Sequence, residues 1–592
     1  MGTALVPNND KSIDFPPPDG PVDRYFPLIA ALPADDTFEI GLVLGGTVSA
    51  AAYTAGVIDF LIQALDAWTL AKLAGTAPQH KVRIKIAAGA SGGAITCVLL
   101  ARILASAFPH CDASTPPAQR AANPLYDNWV NQVDITDLLQ LTDLANGVVH
   151  SLLCADKLDR VGEAIENYAG QPLGSLNTPP KRDYVEDHLP LVLTVTNLRG
   201  IPYSTDFRGN GRSEYYTDYA DHLRFLVDVS GIKPLTAADV APHAIGIGSD
   251  LTAGLQPWST IILAARGSSA FPIGLPPKVL TRPSQQYRYR YAVIDDNGTP
   301  TAVWMRPAWP YMIPIGAGAT TPYRFLTADG GCFNNEPTEF ARQALAGVLG
   351  RNARDGSFAH RAVLLVDPFA DTPDLGLSAD PGLLRTGGAT LSAFKNGTRY
   401  ETADLDLFTD EGTFSRFLVN PVRTVGPGEV RTGGDAIATD TLAAFGGFLS
   451  ASFREHDYLL GRRNCQQFLR KSFVLKDDNS LFANWTPAQR AHYGAPQSAG
   501  PGFLPIVPLA AALEAEIPQP PWPKGTFKPA SIRALLDARI KKVAALSADS
   551  LLGSVSWPLS WGLDLAVSKL GDTGADKIVA AIESALKQAD LL

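Results

Sequence analysis

The hydrophobic pattern changes period twice early in the chain, each time across a cluster of small residues. Val82, Ile84 and Ile86 alternate with Arg83 and Lys85, which predicts a strand. From Ala94 the apolar positions Ile95, Val98, Leu99 and Ile103 share one helical face. Gly89-Ala90-Ser91-Gly92-Gly93 joins the two. Upstream, Phe38 to Leu44 predicts a short apolar strand and Gly45 to Ser49 a small-residue loop. A helix then follows from Ala50, with Tyr53, Val57, Phe60, Leu61 and Leu65 on its apolar face. Strand, loop, helix, strand, turn and helix make a βαβ unit, the mark of an α/β protein with a mainly parallel central sheet.

Further along, residues 106–188 read as mostly helical, with Asp134 as one cap, and Pro190–Asn197 as a strand. Two hairpins are expected. One runs near 203–219 and turns at Gly209-Asn210-Gly211. The other runs near 287–305, where Tyr287, Tyr289 and Tyr291 alternate with Arg288 and Arg290 before a turn at Asp296-Asn297-Gly298. The arginine face suits either solvent or phosphate groups. Tyr323–Ala328 is a strand that stops at Asp329-Gly330-Gly331, followed by a helix to Leu349, and Ala362–Asp367 is a buried strand. Residues 370–440 read as long connections, and Leu442–Val474 as helix. Proline-rich stretches set off an arm at 1–35. Breaks at 494–508 and Ile517–Pro523 precede an amphipathic helical tail carrying Ile532, Leu535, Ile540, Val543, Ile578, Ile582 and Leu586. Packing on the core is the expectation for that tail.

At 592 residues the chain exceeds one compact core. Its 46% hydrophobic and 18% charged residues are those of a folded globular protein. A net charge of −9 argues against a nucleic-acid partner and gives no general attraction to anionic membranes. Cys97, Cys111, Cys154, Cys332 and Cys465 are scattered without a CxxC pair, so neither a zinc site nor a disulfide framework is expected. No metal or cofactor is called for. With no apolar h-region at the N-terminus, the expectation is a cytoplasmic protein, with transient contact at a membrane surface left open.

The Gly89–Gly93 stretch is a G-x-S-x-G, which holds a serine hydroxyl at a strand end and a helix start. Its bland alternative is a glycine-rich turn with an idle serine. The Gly45-Gly46 loop, at another helix start, offers backbone N–H groups to an anion, or is simply a tight turn. A dinucleotide site fits poorly, because the third glycine of that fingerprint is missing. Serine needs a base, and Asp329 stands at a strand end. An ordinary carboxylate is a weak base that partial burial would strengthen; its bland alternative is an aspartate bonding its own turn.

The chain resembles patatin-like phospholipases (acyl hydrolases), and most closely a group of larger bacterial patatin-related proteins. The matching segments are G-L-V-L-G-G-T-V-S-A-A-A-Y-T-A-G-V at Gly41–Val57, G-A-S-G-G at Gly89–Gly93, L-T-V-T-N-L-R-G-I-P at Leu193–Pro202, A-A-R-G-S-S-A-F-P at Ala264–Pro272, A-D-G-G-C-F-N-N-E-P at Ala328–Pro337 and D-Y-L-L-G-R-R-N-C at Asp457–Cys465. The resemblance implies a three-layer α/β/α sandwich over residues 36–480, with the two hairpins as insertions, and a mostly helical C-terminal region at 481–592. It implies lipid or ester substrates and a Ser-Asp dyad without histidine. Ser91 would be nucleophile and Asp329 base, with Gly89 and Gly93 shaping the elbow and N–H groups of Gly45, Gly46 and Thr47 forming the oxyanion hole. One departure stands out: the usual loop is G-G-G-x-R/K-G, and here Thr47, Ser49 and Ala50 replace its third glycine, basic residue and last glycine.

The residues also admit two rival readings. One is a Ser-His-Asp triad with His360, His456 or His492 after the acid, His456 fitting best. The other is a vestigial dyad in a lipid-binding or assembly protein. Acyl length, head group and oligomeric state leave no pattern in the sequence.

Overall fold

The structure is a computed structural model of the chain. It describes residues 15–26, 33–206, 213–230, 233–314, 318, 320–369, 407–408, 410, 412–442, 444–494, 501–551 and 574–592. Its centre is β1 (Thr37–Leu44), buried at every position. It is flanked in parallel by β2 (Lys81–Gly89) and by a strand at Arg361–Val366. Burial on both faces explains why β1 reads as a nearly unbroken apolar run. Between β1 and β2 runs α1 (Ala51–Leu73), long and apolar enough to span a membrane, yet 89% of its apolar window is buried in the protein. After β2 comes α2 (Ser91–Ile103).

Residues 106–188 depart from the helical expectation. Only α3 (Asp156–Glu166) and the run from Pro124 to Asn131, whose second part is a π-helical turn, exceed five residues; the rest are single turns. Asp134 does cap its turn, accepting from the Thr136 N–H. The expected hairpin near 203–219 is no insertion. β3 (His188–Asp206) and β4 (Ser213–Asp228) pair from His188–Asp228 to Asp206–Ser213, with one bulge between Thr196 and Ile201, so the sheet itself extends; the turn at 209–211 lies outside the described residues. β5 (Ile245–Ile247) joins β4 in parallel. α4 (Trp258–Ser268) and β6 (Val279–Pro283) follow. The second hairpin is real but shorter, β7 (Tyr291–Asp296) against β8 (Thr299–Trp304), while Tyr287–Tyr289 lie in a preceding helical turn. Its turn is made by Asn297 and Gly298 at φ 54° and 83°. β9 (Pro322–Ala328) is antiparallel to β3 and β6, and α5 (Thr338–Ala346) leads to β10 (Arg361–Val366) and β11 (Arg416–Val419).

The main sheet order is β11-β10-β1-β2-β3-β4-β5, with β9 and β6 off β3. The protein is thus α/β, with a mainly parallel central sheet. Ile40, Leu42 and Leu44 pack in the main core with α1, α2 and α6 (Ala451–Lys471), while Val43, Ile86, Val363 and Leu365 pack on Ala341 and Leu345 of α5. Regular helix begins at Ala451, later than expected, because Gly446 and Gly447 sit in a tighter turn and Ser450 caps the start. The expected boundary at 481 does not coincide with a break in packing: Phe482, Trp485, Ile506 and Val507 belong to the main core. The unit that stands apart begins near Trp522. It contains α7 (Arg533–Leu551) and α8 (Gly574–Gln588); Ile532 just before α7, Leu536 of α7 and Ile582 and Leu586 of α8 form their own cluster with Leu449 and Phe453. Residues 15–26 of the N-terminal arm lie against the second hairpin and the turn after it, with indole N–H groups of Trp304 and Trp309 donating to the Gly20 and Phe15 carbonyls at 3.0 and 3.2 Å.

Candidate active site

β2 ends at Gly89 and α2 begins at Ser91, so Ser91 is the first helical residue after the strand-to-helix turn, with Ala90 as the cap. Its φ is +51°, a left-handed conformation that costs a non-glycine residue about 1–2 kcal/mol. Two contacts hold it. The Ser91 N–H donates to Ser268 Oγ at 2.8 Å, and Gly93 lies so close to the Leu44 carbonyl that any side chain there would strike it. A strained serine at the end of a buried strand is what the G-x-S-x-G pattern requires.

Asp329 arrives by an unexpected route. Leu191–Leu193 of β3 pair with β2, but β3 runs on beyond the end of β2. There β9 takes the vacated side, pairing Thr196 with Ala328 and Asn197 with Thr327. Running antiparallel, β9 delivers Asp329 down onto the end of β2. The Ser91 hydroxyl donates to Asp329 Oδ2 at 2.6 Å, a short bond of the kind a carboxylate accepts. Oδ1 accepts the Gly331 N–H at 2.8 Å, the Asp329 N–H donates to the Ala270 carbonyl at 2.9 Å, and Thr196 Oγ1 donates to the Asp329 carbonyl at 2.7 Å. The turn-forming aspartate and the serine-bonded aspartate are therefore the same residue, one oxygen for each. Ser91 and Asp329 are each only 5% exposed.

The glycine loop lies beside them, since a Cβ on Gly46 would come 3.2 Å from Ser91 Cβ. Its donors differ from the expectation. The Gly45 N–H donates to the Val366 carbonyl at 3.1 Å, which extends the β1–β10 ladder, and the Gly46 N–H donates to the Asn335 carbonyl at 3.1 Å. Those two N–H groups are committed to the backbone, which corrects their assignment as oxyanion donors. Ser49 is tied down as well: its N–H donates to the Ala444 carbonyl at 3.2 Å, its hydroxyl donates to the same carbonyl, and its oxygen accepts the Gly447 N–H at 3.0 Å.

The three candidate histidines are engaged elsewhere. His456 bonds Asp457 at 2.6 Å and packs on Trp522, His360 bonds Ser480 at 3.1 Å, and His492 bonds Glu514 at 3.2 Å. Arg290 faces neither solvent nor phosphate: it pairs with buried Asp221, which also accepts from Arg282 at 3.3 Å and from the Tyr287 hydroxyl at 2.7 Å. Ser268 was missed as a functional residue. Its one cue was the pair Ser268-Ser269 at the end of an apolar helix within the Ala264–Pro272 segment.

A shallow, solvent-open depression lies beside Ala270, lined by Ile95, Leu158, Leu275, Asp159, Arg266 and Lys278. Burial, with Arg266 adding to it, pushes the Lys278 ammonium down to about 8. No family model matches the chain. It is 35% identical over 525 residues to the uncharacterized protein y4iI of Sinorhizobium fredii, a match covering 82% of this chain and 72% of that protein.

Proposed function

We propose that this chain, which belongs to the same family as the uncharacterized y4iI protein of Sinorhizobium fredii, is a serine acyl hydrolase acting on carboxylic esters of lipids. The observation that carries the reading is the 2.6 Å bond from Ser91 Oγ to Asp329 Oδ2, with the serine strained at a helix start. We read the fold as the three-layer sandwich of patatin-like acyl hydrolases, with α5 on one face of the sheet and α1, α2 and α6 on the other. Lipid substrates are supported by exposed Ile273 and Phe333, near neighbours in sequence of Ala270 and Gly331, which both bond Asp329. They would meet the protein at a membrane surface.

In the proposed reaction Asp329 accepts the Ser91 proton as Oγ attacks the ester carbonyl. The proton passes to the departing alcohol, leaving Ser91 acylated. Asp329 then takes a proton from water, whose oxygen attacks the acyl carbonyl, and the fatty acid leaves as Ser91 is reprotonated. No cation stands at position 49 of the loop, where the resembled family carries one; the Ser49 hydroxyl is engaged with Ala444 and Gly447 instead. Stabilisation of the oxyanion then falls on uncharged donors.

The test is labelling by a fluorophosphonate together with turnover of a short-chain chromogenic ester. Wild type should label at Ser91, and Ser91→Ala should lose both signals. His456→Ala should retain turnover, which a Ser-His-Asp triad would not allow. A wild-type protein that neither labels nor turns over would refute the enzyme and favour lipid binding or assembly.

A further inference from the structure

We infer that the side-chain hydroxyl of Thr47 is an oxyanion donor, an inference that rests on the acyl-hydrolase reading of Ser91 and Asp329. Buried hydroxyls are nearly always hydrogen-bonded. Thr47 is fully buried, yet its Oγ1 has no partner among the described residues. It also lies against the residue that follows the nucleophile. Oγ1 is 2.5 Å from the point a Cβ on Gly92 would occupy, so it rests directly against the residue that follows Ser91. The N–H of Gly92, in the first turn of α2, has no carbonyl one turn earlier in the helix to bond. The nucleophile's neighbour and the Thr47 hydroxyl thus share one small space.

The loop has reason to recruit a side chain. Two of its N–H groups are committed to the Val366 and Asn335 carbonyls, and its fourth and fifth residues carry no charge. The loop is also held rigidly. Val48, a β-branched residue, lies at φ +46°, a conformation that persists only when surroundings enforce it. The bonds of Ser49 to Ala444 and Gly447 supply that enforcement on the next residue. A hydroxyl left idle in the resting protein is unfavourable; one that donates to an oxygen gaining negative charge stabilises the transition state selectively. Its role is a hydrogen bond only, and its proton stays on Oγ1.

Thr47→Val removes the hydroxyl at nearly constant shape, and Thr47→Ser keeps it. The readouts are the acylation burst and steady-state turnover on p-nitrophenyl butyrate, with thermal melting alongside. Thr47→Val should lower kcat about 10²- to 10³-fold with KM little changed and a melting temperature equal to or above wild type, and Thr47→Ser should recover most of the loss. Turnover of Thr47→Val within about twofold of wild type overturns the inference while leaving the hydrolase reading intact. Lost turnover with a lowered melting temperature that Thr47→Ser does not restore assigns a packing role and overturns it too. Wild-type protein inert to both ester and fluorophosphonate removes both readings together.

Discussion

Replacing Ser268 by alanine tests how the strained nucleophile is held. Ser268 is fully buried, and its Oγ accepts the Ser91 N–H at 2.8 Å. Alanine brings no new polar group and no added bulk, so the perturbation is the loss of one acceptor. The Ser91 N–H is left buried and unsatisfied, which costs about 1–3 kcal/mol. That is as large as the strain of about 1–2 kcal/mol stored at φ +51°. With the restraint removed, Ser91 gains by relaxing toward negative φ, which swings Oγ off Asp329. A displacement of about 1 Å at a reacting atom is worth about 10²-fold in rate. The expected result for Ser268→Ala is a fall of about that size in the acylation rate on p-nitrophenyl butyrate, with KM little changed. Ser268→Thr, which keeps the acceptor, should stay closer to wild type. A kcat within about threefold of wild type would refute the idea that this bond positions the nucleophile.

Two further outcomes concern stability. His80 accepts the Trp485 indole N–H at Nδ1 and bonds the Ile506 carbonyl through Nε2, and burial pushes its pKa from 6.5 down to about 3. The unfolded chain therefore takes up this proton first as pH falls. Stability is full above pH 6.5 and is lost progressively toward pH 3, by about 3 kcal/mol at pH 4.5; urea unfolding across that range should show the slope and His80→Asn should flatten it, whereas an unchanged slope in the variant would assign it to other groups. Arg539 of α7 donates to Asp143 at 2.7 and 2.8 Å and to the Leu152 carbonyl at 2.6 Å. Arg539→Ala should cost about 3 kcal/mol and open residues 518–532 to limited proteolysis; an unaltered digestion pattern would count against this clamp.

The sequence was most legible where its signals are local. The period switch at Gly89–Gly93 marks β2 and α2 correctly, because alternation and helical spacing are properties of adjacent residues. The Asn297-Gly298 turn follows from the same kind of signal. Ser91 and Asp329 are also visible, as residues at strand ends whose neighbours permit sharp turns. Less legible were segments whose conformation is chosen by distant partners. Tyr287 and Arg290 read as opposite faces of one strand until buried Asp221 claims both side chains. Phe482 and Trp485 look like the start of a separate region until the main core encloses them.

What the sequence alone determined, then, is the inventory: a parallel α/β core, a serine at an elbow, an acid at a strand end and a glycine loop. Only the tertiary structure decided how these parts meet. Asp329 reaches Ser91 because β3 overshoots β2 and lets antiparallel β9 fill the gap, a consequence of strand length and pairing that no local pattern encodes. Gly45 and Gly46 lose their free N–H groups to Val366 and Asn335, and Ser268 gains its place beneath Ser91, for the same reason. Hydrogen-bond donors are satisfied by whatever the fold brings within about 3 Å, and sequence separation does not constrain that choice.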